Sequence, residues 1–547
     1  MKRYGSQDRR MHVSGWKAGI VVMIFVVIGV AASTMPDSPG AFHPHAFLRL
    51  PLEVPLVALA LLLLPRRMAI ALAVLATIVV FCLLFLKLAD VGVLSAFQRR
   101  FNPYLDMKML LDGWNVLSGA VGALGAALAI GLVVGAMAML MGAFWWACLR
   151  MTRLARKAQR AAVTGFAIIL AVGLGLLAAG SQAGLKDVAD LRVASYLGAR
   201  LSLVARSVAD IRTFEGALAA DMGYEGGDHL FARVKGRDVI LVFIESYGRS
   251  AIEDPRYGWL IKPRLDSVER QLQSAGFVSA SGWTRSPTVG GLSWLAHGTL
   301  LSGLWVDSQA RYDLLMNSDR ESLNRLFREA GWRTTAIMPA ITMDWPESAY
   351  FGYDQILAAK DLGYRGKPFN WVTMPDQYTL SAFERLAREP ARKDGKPVMA
   401  EIALISSHAP WTPVPKLIDW DAVGDGTAFN DQAESGDPPR VVWANQERVR
   451  RQYIETIDYT LETLGDYVTR FGRDAVFIVL GDHQPAAIVT GPDASRSVPI
   501  HIVSRDRVLV ERFVAEGFDV GMTPDTEAPE PSMDSMRKHL ISHFSKP

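Results

Sequence analysis

Ala475-Val476-Phe477-Ile478-Val479-Leu480-Gly481-Asp482-His483-Gln484-Pro485 is the stretch on which the fold turns. Its first six residues are continuously apolar and rich in β-formers, as expected of a strand covered on both faces of a parallel sheet. The run stops at a glycine, and an acid and an imidazole follow at once. In an open α/β sheet, ligands sit at that place, beyond the carboxyl end of a strand. Two more runs have the same form. Residues 239–244 end in Glu245-Ser246-Tyr247-Gly248, and residues 398–405 end in Ser406-Ser407-His408-Ala409-Pro410-Trp411. Runs 334–337 and 500–503 complete five strand candidates, and helical patterns intervene at 264–275, 320–330 and 444–471, the last closed by Gly472. Strands alternating with helices predict an α/β sandwich with a mostly parallel central sheet.

Moving outward, the chain changes character. Five apolar runs, 16–33, 50–64, 68–86, 120–148 and 162–179, stand before this region, and runs of about 17–25 residues match a ~30 Å hydrocarbon layer. The expected organisation is a five-span membrane domain over 1–180, a linker helix region over 181–235, a catalytic domain over 236–522 and a tail over 523–547. Within the linker region the pattern from about Gly184 to Leu218 is expected to form a connecting helix, closed by the Gly-rich stretch from Gly223 to Gly227. Residues 421–439 read as an acidic surface insertion.

The 547 residues carry a net charge of only +3, which hides a split. Residues 1–180 hold 17 Lys and Arg against six Asp and Glu, or +11, and the remainder holds 41 against 49, or −8. The basic residues lie between apolar runs and line no groove, so no nucleic-acid partner is expected. Lys2, Arg3, Arg9, Arg10, the Arg66-Arg67 turn and the basic 150–160 loop fall on one side of a five-span model. Positive loops favour the cytoplasm, so the N-terminus reads as cytoplasmic and the C-terminal domain as external. The two cysteines, Cys82 and Cys148, lie in the apolar runs, so the external domain can form no disulfide.

A fourth chemical segment is Thr284-Arg285-Ser286-Pro287-Thr288-Val289-Gly290-Gly291-Leu292-Ser293. A hydroxyl followed by two glycines lets backbone N–H groups approach a tetrahedral anion, and metal coordination would activate so weak a nucleophile. Two carboxylates, an imidazole and a hydroxyl suit Mn²⁺ or Zn²⁺ better than a thiolate-seeking metal. Taken in order, Phe243-Ile244-Glu245-Ser246, Thr288-Val289-Gly290-Gly291, His408-Ala409-Pro410-Trp411 and Leu480-Gly481-Asp482-His483-Gln484 resemble the sulfatase-like branch of the alkaline phosphatase superfamily. Within that branch the chain is most similar to lipoteichoic acid synthases and bacterial phosphoglycerol and phosphoethanolamine transferases.

The resemblance implies an alkaline-phosphatase-like domain held outside the bacterial inner (plasma) membrane by five helices. It implies one divalent ion, Mn²⁺ first with Zn²⁺ or Mg²⁺ as alternatives, on Glu245, Thr288, Asp482 and His483. Thr288 would be the nucleophile, with Ser286 the runner-up, and His408 would bind substrate and move a proton. Trp345 is the matching substrate tryptophan, although acidic Asp344 and Glu347 flank it where the family has an arginine. Arg285 and Arg249 are candidates to contact phosphate. Ser293 is placed one turn inside a helix, His297 reads as a packed helix residue, and His501, His539 and His543 receive no role. The expected partners are a membrane lipid donor and an envelope glycan or lipid acceptor, with a phosphate or sulfate ester hydrolase as the alternative activity. A modified-residue sulfatase fits poorly: Arg285 stands two before Pro287, and no arginine stands two after it.

Overall fold

The structure, a computed structural model, describes residues 15–179, 189–220 and 229–546. Lys2, Arg3, Arg9 and Arg10, the Gly184 start of the linker helix and the Gly223 to Gly227 stretch lie outside them. The chain divides into two units, residues 1–95 with 99–209 and residues 96–98 with 210–547.

The first unit is built on α1 (Trp16–Thr34), α2 (Glu53–Leu63), α3 (Arg66–Phe97), α4 (Met107–Met151), α5 (Arg156–Ala179) and the start of α6 (Arg192–Ala219). Among the described residues, four stretches are long and apolar enough to cross a membrane: Trp16–Thr34, Arg66–Phe97, Gly122–Met151 and Arg156–Ala178. The third begins where α4 breaks, at Gly122 with φ +77°. The expected span 50–64 is different. It keeps only eleven helical residues in α2, about 16 Å of helix. Its entry is taken by a short parallel pairing of Leu50–Pro51 (β1) with Ala189–Asp190 (β2). Its exit is forced extended at Leu64, ψ 152°, by the proline that follows. α2 lies along α5, with Gln159 Nε2 donating to the Leu62 carbonyl at 2.7 Å and Leu52 packed on Gly173. Phe25 of α1 stacks on Phe144 of α4 at 5.3 Å and meets the edge of Phe166 of α5. Asp90 of α3 is fully buried and accepts from Phe101 N, Tyr196 Oη and Arg200. Tyr196 and Arg200 are one turn apart, so the first half of the expected linker helix is packed into this unit.

In the second unit, the apolar runs form an eight-stranded sheet in the order β10-β4-β9-β8-β3-β7-β5-β6. The strands are β3 (Val239–Ile244), β4 (Val278–Arg285), β5 (Arg333–Met338), β6 (Gln355–Ala358), β7 (Val398–Leu404), β8 (Val476–Gly481), β9 (Ser497–Ser504) and β10 (Asp519–Val520). β8, β3, β7, β5 and β6 run parallel, and β9, β4 and β10 add an antiparallel edge. Both faces of the parallel part are covered by separate buried clusters, which is why its strands are apolar throughout. All five expected strands form; β4, β6 and β10 went unforeseen, because β4 mixes Ser, Gly and Trp and the other two are very short. The segment expected as a tail from Thr523 is part of the domain. Its helix Met533–Phe544 buries Met533, Met536, Leu540, Ile541 and Phe544 in the same cluster as the helix Ser293–Ser302.

Candidate active site and metal centre

β3 lies between β8 and β7, and the register pairs Ile244 with both Gly481 and Leu404. The residues that follow each strand therefore emerge side by side at the carboxyl edge. Glu245 follows β3, Asp482 and His483 follow β8, and Ser407 and His408 follow β7. Ser407 Oγ ties two of these ends together by donating to the Glu245 carbonyl at 2.5 Å.

Glu245, Asp482 and His483 converge, with ligand atoms within 4.8 Å of one another and all three residues buried. His483 Nε2 is 3.3 Å from Glu245 Oε1 and 3.6 Å from Asp482 Oδ2. Asp482 Oδ1 accepts from Ser246 N at 2.8 Å and His483 N at 2.6 Å. Ser246 reaches that position with φ +58°, a left-handed backbone that a non-glycine residue adopts at a cost. His483 Nδ1 donates to the Gln484 carbonyl at 2.8 Å, which leaves Nε2 facing the carboxylates. Metal-binding histidines are commonly held in this way by their other ring nitrogen. The electrostatics agree. Burial, then the charge of Glu245, pushes the Asp482 carboxyl up to about 7. Burial alone would raise Glu245 and lower His483, but their mutual attraction, with Asp482 and His408 contributing, holds Glu245 well below the usual range and His483 up at about 9. Two buried carboxylates with one imidazole are short of positive charge, and the oxygen and nitrogen donors fit a divalent cation.

Two hydroxyls reach this cluster: that of Ser246, which donates to Glu245 Oε1 at 2.9 Å, and that of Ser293. Ser293 Oγ donates to Glu245 Oε2 at 2.9 Å and lies 3.2 Å from His483 Nε2. Thr288 Oγ1 donates to the Gly291 carbonyl at 2.7 Å. Ser286 is buried and donates to the Asp482 carbonyl at 2.5 Å, bracing the loop. The shift from the sequence expectation has a local cause. Gly290 (φ +76°), Gly291 (φ +144°) and Leu292 (φ +65°) reverse the chain in three consecutive steps, and the helix starts only at Ser293. The two glycines are thus a device that delivers Ser293, while Gly290 N is pinned to the Gln484 carbonyl at 2.8 Å.

His408 has its ring stacked on Trp371, centroids 3.9 Å apart, and its Nδ1 donates to the Ala409 carbonyl at 2.5 Å. Nε2 is left to give or take a proton. Beneath it Asp376, fully buried, accepts from Ile405 N, Ser406 N and Thr460 Oγ1 and fixes the end of β7. Trp345 packs against Phe351 and Tyr353, and Arg285 is exposed at the end of β4. Arg249 is committed to Glu253 and Glu530 over the face of Trp283. One turn beyond Ser293, His297 stacks on Phe243, and its Nδ1 meets Glu401 Oε1 at 2.7 Å. Glu401 is buried on β7 and also accepts from Tyr353 Oη and from Asn324 Nδ2. Sequence reasoning missed Glu401 because a single acid in an apolar strand carries no spacing signal, and it missed Trp371 because no motif surrounds it.

Residues 237–496 match the family model described as Sulfatase. The matched segment is similar to sulfatase-family enzyme domains. In structure the chain is similar to the lipoteichoic acid synthase LtaP from Listeria monocytogenes, with 14% identity, a TM-score of 0.37 and coverage of 61% of this chain and 78% of that one. It is similar also to the phosphoglycerol transferase GacH from Streptococcus pyogenes, in complex with sn-glycerol-1-phosphate, at 11% identity, TM-score 0.38, and coverage of 62% and 81%. The C-terminal periplasmic domain of EptC from Escherichia coli gives 13%, 0.38, and coverage of 56% and 82%. These scores lie below 0.5. Comparison with curated proteins gives no significant match. The matched segment runs from just before β3 to just before β9, so it contains Glu245, Ser293, His408, Asp482 and His483.

Proposed function

We propose that the protein is a membrane-anchored, divalent-metal-dependent phosphotransferase. It moves a phospho-alcohol group, of the phosphoglycerol or phosphoethanolamine type, from a lipid to an envelope glycan or lipid. The observation that carries this reading is Ser293 Oγ placed between Glu245 Oε2 and His483 Nε2 at the start of a helix. Ser293 replaces Thr288 as the proposed nucleophile on that geometry. Glu245, Asp482 and His483 would hold the ion, proposed as Mn²⁺ with Zn²⁺ or Mg²⁺ as alternatives. When bound, it would lower the pKa of the hydroxyl and neutralise charge developing on a phosphoryl oxygen.

The chain's own residues supply the rest. Ser293 Oγ, positioned by its hydrogen bond to Glu245 Oε2, attacks phosphorus and releases its proton to solvent, since Glu245 is held too acidic to keep it. The bond to the diacylglycerol oxygen breaks, and His408 Nε2 protonates that oxygen. The acceptor hydroxyl then attacks the phosphoserine, giving its proton to His408 and returning Ser293. The first helix turn aims N–H groups at the phosphoryl site, which favours the anion.

Four apolar helices support attachment to a membrane. External placement of the catalytic domain needs an odd number of crossings from a cytoplasmic N-terminus. We read the 50–64 segment, α2 with the chain leading into it, as the fifth, because it runs along α5 from Gly173 to Gln159. The membrane would be the bacterial inner membrane, the domain periplasmic or extracellular. A hydrolase with water as the acceptor uses the same residues, and the family description favours keeping it as the second reading. Ser293-Trp294-Leu295-Ala296-His297 has neither proline two after the serine nor arginine four after it, which argues against a modified-residue sulfatase.

The test is incubation of detergent-purified full chain with Mn²⁺ and phosphatidylglycerol or phosphatidylethanolamine. Release of diacylglycerol is expected. Turnover of small aryl esters with no diacylglycerol would overturn the transferase reading in favour of the hydrolase.

A further inference from the structure

A second group of ligand-type side chains converges well away from the catalytic cluster. Glu516 directly follows the helix Arg507–Ala515, and the helix Met533–Phe544 carries His539 and His543 one turn apart. Glu516 Oε2 lies 2.6 Å from His539 Nδ1 and 2.9 Å from His543 Nε2, and the three ligand atoms lie within 4.8 Å of one another. His543 is buried with its ring against Phe513, centroids 4.4 Å apart. Its Nε2 is shielded from water and makes no aligned hydrogen bond, although Glu516 is so near. A nitrogen and an oxygen side by side without alignment suit a common ligand better than each other. We propose that Glu516, His539 and His543 form a second metal site, for Zn²⁺, with water as the fourth ligand.

Two imidazoles and one carboxylate are a recurring zinc donor set, and three protein ligands leave one position for water. Zinc bonds of about 2.0–2.2 Å in a tetrahedron separate neighbouring ligand atoms by roughly 3.3 Å. The observed 2.6 and 2.9 Å must open by about 0.7 and 0.4 Å to reach that separation. The side chains of Glu516 and His539 are 40% and 39% exposed, so they have room to swing and admit a water. The ion would staple the Met533–Phe544 helix to the chain leading into β10. That helix shares a buried cluster with Leu295, Leu300 and Leu301. It meets the Ser293–Ser302 helix at its far end, where Gly303 packs on Arg537. The site is therefore structural, and it supports the element that carries Ser293.

The experiment uses the full chain in detergent, stripped with chelator, reloaded with ZnCl₂ and washed, with zinc counted by elemental mass spectrometry. Wild type should hold two zinc ions per chain, His539→Ala one, and the double variant Glu245→Gln/Asp482→Asn one. Zinc should also raise the melting temperature of the double variant and should lose that effect when His539→Ala is added. His539 is half exposed, so its replacement leaves the core intact. An unchanged zinc count in His539→Ala, or zinc-dependent melting that survives it, would overturn the proposal. A single zinc lost with His539→Ala would support it and count instead against the catalytic metal reading.

Discussion

Glu401→Ala tests the packing behind the nucleophile. The carboxylate is 1% exposed and accepts from three donors: His297 Nδ1 at 2.7 Å, Tyr353 Oη, and Asn324 Nδ2 at the long distance of 3.4 Å. Removing it strands the first two without water. Each buried donor left unpaired costs about 1–3 kcal/mol, and the long third bond adds little, so the loss should be about 3–5 kcal/mol. Domains are stable by only ~5–15 kcal/mol in total. For a domain of this size each kcal/mol moves the melting temperature by roughly 2 °C, so the catalytic domain should melt about 6–10 °C lower. Glu401→Gln keeps one acceptor oxygen and should lose about half as much. The assay is a thermal melt of the full chain in detergent, followed by tryptophan fluorescence, with the wild type alongside. A shift under 2 °C for Glu401→Ala would refute the claim that these donors depend on the carboxylate. Because His297 lies one turn from Ser293, the folded variant should also show a reduced kcat with its metal content unchanged.

Three further outcomes are expected. Ser293→Ala should lower diacylglycerol release by at least ~10³-fold, as loss of a nucleophile does, whereas Thr288→Ala removes one hydrogen bond of ~1 kcal/mol and should cost about fivefold; steady-state kinetics with labelled lipid separates them. Asp482→Asn, or treatment of the wild type with chelator, should remove the catalytic ion and the activity together, read by elemental analysis beside turnover, and Mn²⁺ should restore only the wild type. Trp371→Ala removes a ring stacked on His408 worth ~0.5–1.5 kcal/mol, so kcat should fall by up to about tenfold while the bound metal is retained.

The parallel core of the sheet was legible because strands covered on both faces must be apolar throughout, and three of them end in groups able to bind metal or move protons. The convergence of Glu245, Asp482 and His483 then follows from β3 lying beside β8. What the residues could not reveal was where the helix begins after Gly290-Gly291. Three positive φ angles in a row put that start at Ser293, and Thr288 Oγ1 bonds the Gly291 carbonyl. The antiparallel edge was hidden because β4 has a mixed composition and β10 has two residues. The second span was read as helical by its apolar content, but Pro51 and Pro65 bound it and leave eleven helical residues. His539 and His543 are four residues apart on the last helix, but Glu516 lies 23 residues before His539, and only the packing of that helix brings it to them.

The most direct test of the account is the mass of the covalent adduct formed by the purified enzyme, quenched in acid during turnover of phosphatidylglycerol or phosphatidylethanolamine and digested. A phosphoglycerol or phosphoethanolamine group on the peptide containing Ser293, absent from Ser293→Ala and present in Thr288→Ala, is the predicted result. An adduct on Thr288 or Ser286, or no adduct under conditions that release diacylglycerol, would contradict it.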